Sequence, residues 1–123
     1  MKKSLALILS LLLFWTLPSF AGEADVVKVK VKVSKSGKSS YNFTVTVSHK
    51  DIGWKHYANK WDIIDEKGIV LGTRILHHPH VEEQPFTRSL SGVEIPDNIK
   101  TVMVRVHDSV HKYSGKVVSV ELP

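Results

Sequence analysis

Val27-Lys28-Val29-Lys30-Val31-Lys32-Val33 alternates valine with lysine at every position. Because neighbouring side chains of a β-strand point to opposite faces, this alternation predicts a strand with one buried and one solvated face. The segment from Ser34 to Ser40 is rich in turn residues, and Tyr41 to Ser48 then alternates apolar with polar side chains. Its β-branched and aromatic content predicts a second strand that pairs with the first as a hairpin.

Five further strand-like segments follow, separated by turn residues such as glycine, proline, aspartate and asparagine. They are Lys60 to Asp65, Ile69 to Leu76, Pro85 to Leu90, Thr101 to His107 and Lys116 to Leu122. Ser91 to Lys100 is predicted to be a connection because it contains Gly92, Pro96 and Asp97. Seven short strands with regular turn signals predict an all-β, seven-stranded antiparallel sandwich.

The order and spacing of these strands resemble an immunoglobulin-like or fibronectin type III-like domain. Trp61 lies where such folds often place a core tryptophan, and the segments from Thr101 to His107 and Lys116 to Val120 look like a final hairpin. The residues around His78-Pro79-His80, Glu83 to Arg88 and His107 to His111 also resemble a group of small exported bacterial proteins with a His-Pro-His loop. These resemblances imply a sandwich fold and export, and they imply no activity.

Residues 1–21 are predicted to be a signal peptide. Lys2 and Lys3 form a positive start, Leu5 to Leu17 is apolar, and Ser19-Phe20-Ala21 supplies small residues at the positions that a signal peptidase reads. The apolar run is shorter than the roughly 20 residues of a transmembrane helix, which makes an uncleaved anchor the weaker alternative. The mature chain is expected to begin near Gly22, with residues 22–123 forming a single β-sandwich domain in the periplasm or outside a bacterium.

The chain contains no cysteine. Because there is no N-terminal cysteine to carry a lipid, a soluble mature protein without a lipid anchor is expected. The absence of cysteine also excludes thiolate-based zinc, iron–sulfur and blue-copper centres. Without Lys2 and Lys3 the chain has 15 basic and 12 acidic residues, a net charge of +3. Nucleic acid is not an expected partner, because aromatic and basic residues are not interleaved.

All seven histidines map to the second, fourth and sixth connections between predicted strands, where His107 and His111 bracket the sixth. They are His49 and His56, then His77, His78 and His80, and finally His107 and His111. In an antiparallel sandwich whose successive strands reverse direction, alternate connections lie at the same end. The strand count therefore predicts that all seven histidines gather at one end of the domain.

Neutral imidazole rings brought together are ligands for divalent metals. The preferred ligand set is His78, His80, His107 and His111, with His49 or Asp108 as further candidates. Glu82 and Glu83 are alternative carboxylates, and the sequence leaves the participation of His56 and His77 open. Since cysteine is absent and the mature chain has a single methionine, the predicted metal is copper(II) or zinc, ahead of iron or nickel.

Three functions follow from this interpretation. The first is an exported, soluble, non-enzymatic protein that binds copper(II) or zinc through three loops. The alternative is an interaction module that presents the same loops to a protein or glycan partner. A redox or hydrolytic metalloenzyme would additionally require an open coordination position on the metal.

Overall fold

The computed structural model describes residues 22–37 and 39–123, which form seven strands in two antiparallel sheets. The predicted signal peptide, residues 1–21, lies outside the described residues. The strands are β1 (Asp25–Val33), β2 (Ser40–Ser48), β3 (Ala58–Ile64), β4 (Val70–Ile75), β5 (Phe86–Glu94), β6 (Thr101–Asp108) and β7 (Val118–Glu121). One sheet has the order β1-β2-β5 and the other β4-β3-β6-β7. The prediction of a seven-stranded, all-β sandwich is confirmed.

The core lies between the two sheets and follows the predicted alternation. Phe43, Val45 and Val47 of β2 are fully buried, as are Trp61 and Ile63 of β3. Alternate valines of β6 complete the same hydrophobic cluster. Burial of one such side chain contributes about 1.5–3 kcal/mol, so these strand faces hold the two sheets together.

The fifth strand extends beyond its predicted end at Leu90, and the expectation that Ser91 begins a connection was wrong. Gly92 adopts a φ of 71° and its N–H donates to the Asn42 side chain at 2.9 Å. The register between β2 and β5 shifts at this point, so the strand continues through a bulge to Val93 and Glu94. Glycine therefore marks a bulge rather than a turn here.

The start of β1 and the residue before it are fixed by contacts with the segment that leads into β7. The Val26 N–H donates to the Lys116 carbonyl at 3.0 Å, and the Lys116 N–H donates to Asp25 Oδ1 at 2.7 Å. Ala24 is buried, and a Cβ added to Gly115 would lie 1.7 Å from the Ala24 carbonyl oxygen. Only a glycine at position 115 permits this close approach. The contact holds Ala24, and with it the nearby Gly22, at one end of the sandwich.

Three connections meet at that end, which we call the histidine pole: residues 49–57, 76–85 and 109–117. The Ser109 N–H donates to the Tyr57 carbonyl at 3.0 Å, and the Tyr57 N–H donates to Ser109 Oγ at 3.0 Å. The His49 N–H donates to the Gln84 side chain at 2.9 Å, which ties in the remaining connection. Nowhere in residues 22–37 and 39–123 is there a helix with the length and hydropathy of a membrane span.

Candidate metal centre

Three side chains within or next to the histidine pole lie close enough to share one metal ion. His49 follows β2, His56 precedes β3 and Asp108 ends β6, and one ligand atom from each lies within 4.8 Å of the others. His56 Nε2 is 3.3 Å from His49 Nε2 and 3.3 Å from Asp108 Oδ1. Ligands held tetrahedrally at about 2.0–2.1 Å from a zinc ion lie about 3.3 Å apart. We call these three residues the ligand group.

Asp108 is a buried carboxylate at the end of the core. The alternation of β6 turns Val106 and Asp108 inward, and the Asp108 side chain is fully buried. Its Oδ1 atom accepts hydrogen bonds from the N–H groups of Val110, at 2.8 Å, and His111. Its Oδ2 atom is buried and has no hydrogen-bond partner among the described residues. A buried carboxylate costs several kcal/mol of desolvation, which a bound cation would offset.

Asp51 is a second buried carboxylate, and it orients His49. Asp51 Oδ1 accepts hydrogen bonds from His49 Nδ1 and, at 3.0 Å, from the Ala58 N–H. Asp51 Oδ2 accepts a hydrogen bond from the His80 N–H at 2.6 Å. Because Nδ1 of His49 donates to Asp51, its Nε2 atom faces the ligand group. Histidines that bind metals usually donate the N–H of their other ring nitrogen to such a carboxylate, which fixes the orientation of the ring.

The carbonyl oxygen of Gly22 and the ring of His111 adjoin the ligand group. The Gly22 oxygen lies 2.9 Å from His49 Nε2, 3.0 Å from His56 Nε2 and 2.8 Å from His111 Nδ1. His111 Nδ1 is also 3.5 Å from Asp108 Oδ1. Five potential metal donors from three segments of the chain are therefore close together.

The titration of these groups reflects competition between burial and hydrogen bonding. Burial acts most strongly on the pKa of His49 and lowers it, but the bonds to Asp51 and the Gly22 carbonyl together raise that pKa above 6.5. For Asp51, burial raises the pKa, yet the bonds from His49, His80 and Ala58 bring it below 3.8. The Asp108 pKa is likewise lowered against burial, chiefly by the N–H groups of His111 and Val110. Both carboxyls are thus ionised at neutral pH and favour a cation.

His78 and His80, predicted as ligands, form a separate contact. Their rings lie 4.8 Å apart, and the His80 ring stacks on Phe86 at 4.0 Å. Arg88 donates to His80 Nε2 at 3.0 Å. Burial lowers the pKa of His80, and the charges of Arg88 and His78 lower it further, so the ring is neutral. His80 meets the ligand group indirectly, through its backbone N–H to Asp51.

His107, also predicted as a ligand, lies on the outer face of its sheet. Its Nδ1 is 2.7 Å from Asn59 Oδ1, and its ring lies 4.8 Å from that of Tyr113. Since β6 extends to Asp108, His107 and Asp108 point to opposite faces. His78, His80 and His107 are therefore not in the ligand group, whereas His111 adjoins it and His49 and Asp108 belong to it.

Two participants were missed or left open by sequence reasoning. His56 shares its connection with His49, so its position at the histidine pole was predicted but its contact with His49 was not. Asp51 was missed altogether. The signal that was available is the spacing His49-x-Asp51, which places a carboxylate beside a histidine in a short loop.

A surface cavity of about 240 Å³ opens beside the ligand group. It is lined by Gly22, Lys50, Ile52 and His56. His49 and Asp108 are buried behind it, whereas His56 is partly exposed. An ion or a small ligand can therefore reach the group from one side.

Comparison with known proteins places few limits on the function. No protein-family model matches the chain, and no solved structure matches it significantly. A protein of Halomicrobium mukohataei named "Putative lipoprotein" is 38% identical over 99 residues, which are 80% of this chain and 47% of that relative. The chain thus spans about half the length of the relative that it matches.

Proposed function

We propose that this protein binds copper(II) or zinc at the histidine pole, with His49, His56 and Asp108 as ligands and His111 as a further donor. The observation that carries the proposal is the 3.3 Å spacing of His56 Nε2 from both His49 Nε2 and Asp108 Oδ1. Two features support it: Asp51 holds His49 with Nε2 towards the group, and Asp108 Oδ2 is buried without a partner among the described residues. A polar cluster built only for stability would be expected to satisfy that oxygen.

The donor types support the choice of metal. Imidazole nitrogen and carboxylate oxygen suit zinc and copper(II), and the chain has no cysteine for a thiolate site. Of the ligands predicted from sequence, the proposal retains His49, Asp108 and His111 and adds His56. It gives His80 a supporting part, because the His80 N–H donates to Asp51, and it gives His78 and His107 none.

We propose an exported protein whose residues 1–21 are removed as a signal peptide, leaving a soluble domain of residues 22–123 in the periplasm or outside the cell. The similar protein is named "Putative lipoprotein", and a name of that kind implies an exported protein, which supports export of this chain. N-terminal sequencing of protein recovered from the native compartment tests the cleavage, with Gly22 as the expected first residue. Recovery of a chain that still carries residues 1–21 would contradict it.

We also propose that the sandwich is of the fibronectin type III-like kind. The split into β1-β2-β5 and β4-β3-β6-β7 supports this, as does the buried Trp61 on the third strand. An experimental structure aligned with such domains tests the proposal.

Competition titration with copper(II) and zinc tests the metal site. The variants His49→Ala and His56→Ala should each lose affinity by at least about tenfold, since each removes one nitrogen ligand. The matched control is His107→Ala, which removes a ring on the opposite face of β6. Equal affinity in all three variants, or no binding by the unaltered protein, would contradict the proposal.

An interaction module remains the second candidate, because apolar side chains are exposed at the same pole. Ile52 and Trp54 are 65% and 67% exposed, and Val110 is 51% exposed. Such residues favour a protein partner. A partner that is captured by the native protein and released by Trp54→Ala, with no metal present in either sample, would favour this function over metal binding.

A further inference from the structure

Gly22 occupies an unusual position, because three histidine nitrogens converge on its carbonyl oxygen at 2.8–3.0 Å. A carbonyl oxygen has two lone pairs and accepts at most two good hydrogen bonds in most settings. His49 already donates its Nδ1 proton to Asp51, so its Nε2 atom is the ring's free lone-pair position in the neutral form. Donors that crowd together in this way are better explained by a shared cation than by hydrogen bonds among themselves.

The identity and position of Gly22 fit that role. Its φ is 116°, which strains any residue but glycine, and a Cβ at this position would lie 2.4 Å from Cε1 of His111 and displace that ring. The next residues are fixed by the buried Ala24 and by the bonds that Asp25 and Val26 make with Lys116. The main chain of Gly22 is therefore held against the histidine rings by the fold itself.

We propose that the main chain of Gly22 is a metal ligand, through its carbonyl oxygen and, after removal of residues 1–21, through its α-amino nitrogen. This inference rests on the metal binding and the cleavage proposed above. In the uncleaved chain the nitrogen of Gly22 is an amide, whose lone pair is delocalised into the neighbouring carbonyl and binds metal poorly. Hydrolysis of the Ala21–Gly22 bond adds water, leaves a carboxylate on Ala21 and creates a primary amine on Gly22.

The amine and the carbonyl oxygen of one glycine can close a small chelate ring on a single ion. With His49, His56 and His111, the mature site then offers four nitrogens together with oxygens from Gly22 and Asp108. A donor set rich in nitrogen favours copper(II) over zinc, in line with the general order of affinity. Leader removal completes the site, so the exported, cleaved protein acquires metal and the precursor binds it weakly.

Three forms of the protein test this inference: a chain that begins at Gly22, a chain that begins at Ser19, and the Gly22 chain acetylated enzymatically at its α-amino group. Copper(II) affinity is measured by competition, and nitrogen coordination is read from electron paramagnetic resonance. The Gly22 chain should bind at least about tenfold more tightly than the other two forms, because they lack the amine at Gly22. Its spectrum should also contain one more coupled nitrogen.

The outcomes separate this inference from the function on which it rests. His49→Ala in the Gly22 chain should weaken copper(II) binding whether or not the amine is a ligand. If all three forms bind equally and His49→Ala weakens each, the role of the Gly22 amine is overturned and the metal site stands. If the Gly22 chain binds neither copper(II) nor zinc, both proposals fail. Circular dichroism melts of the three forms verify that each is folded.

Discussion

Asp51→Asn replaces one carboxylate oxygen of the residue that supports His49 with an NH₂ group. An asparagine that keeps its oxygen at the Oδ1 position still accepts from His49 Nδ1 and the Ala58 N–H. Its NH₂ group then faces the His80 N–H, which loses its acceptor. An unpartnered buried donor costs about 1–3 kcal/mol, and we expect the free energy of unfolding to fall by that amount.

The same substitution should weaken metal binding. A neutral amide holds His49 less firmly than a carboxylate and removes one negative charge beside the site. Loss of such a supporting group typically reduces metal affinity 10–100-fold, or about 1.4–2.7 kcal/mol. Urea unfolding of the metal-free protein measures the first effect, and competition titration with zinc and copper(II) measures the second.

Asp65→Asn is the matched control. Asp65 Oδ1 also accepts two backbone N–H groups, from Lys67 and Ile69, both at 2.9 Å, but it lies in the exposed turn between β3 and β4. Its substitution should leave metal affinity unchanged. If Asp51→Asn alters neither stability nor affinity, or alters affinity no more than Asp65→Asn does, the assigned role of Asp51 is wrong.

Three further predictions concern pH, the metal and the outer sheet face. The lowered pKa values of Asp51 and Asp108 stabilise the fold above their usual value of 3.8, so urea unfolding of the metal-free protein should show stability falling as pH drops below it. The raised pKa of His49 acts oppositely: its contribution to the free energy of unfolding is complete below pH 6.5 and is lost as pH rises through the folded-state pKa. Metal affinity should rise over the same pH range, because the ring must lose a proton before it binds metal. Removal of metal by a chelator should lower the free energy of unfolding by about 2.7 kcal/mol relative to protein at a metal concentration of 100 times Kd. Calorimetry that finds equal stability with and without the chelator would contradict metal binding. Tyr113→Phe removes the bond from its hydroxyl to Asp62 Oδ2 at 2.6 Å and should cost about 1.5–3 kcal/mol in urea unfolding, while titration should find metal affinity unchanged.

The sheets could be predicted from the sequence because most strands bury one face and expose the other. The alternation in β1, β2 and β6 locates those strands, and seven strands of this kind leave few architectures open. The same count predicted that the histidine-bearing connections meet at one end. The prediction that the fifth strand ends before Gly92 was wrong, because a glycine bulge and a glycine turn have the same composition.

The membership of the site depends on finer detail than the strand count. The predicted sixth strand ended at His107, so a turn between His107 and His111 was expected to bring those two rings together. In the structure the strand includes Asp108, and one residue of difference in a strand sends a side chain to the other face. The ring contacts of His80 with Phe86 and the bond between Asp51 and His49 depend on loop conformation, which alternation does not describe.

The proposed metal ion lies between His49, His56 and Asp108. A crystal of the chain beginning at Gly22, grown with zinc and measured at the zinc absorption edge, tests it most directly. We expect an anomalous peak about 2.0–2.1 Å from the Nε2 atoms of both histidines. A peak at His78 and His80 instead, or no peak at the histidine pole, would contradict it.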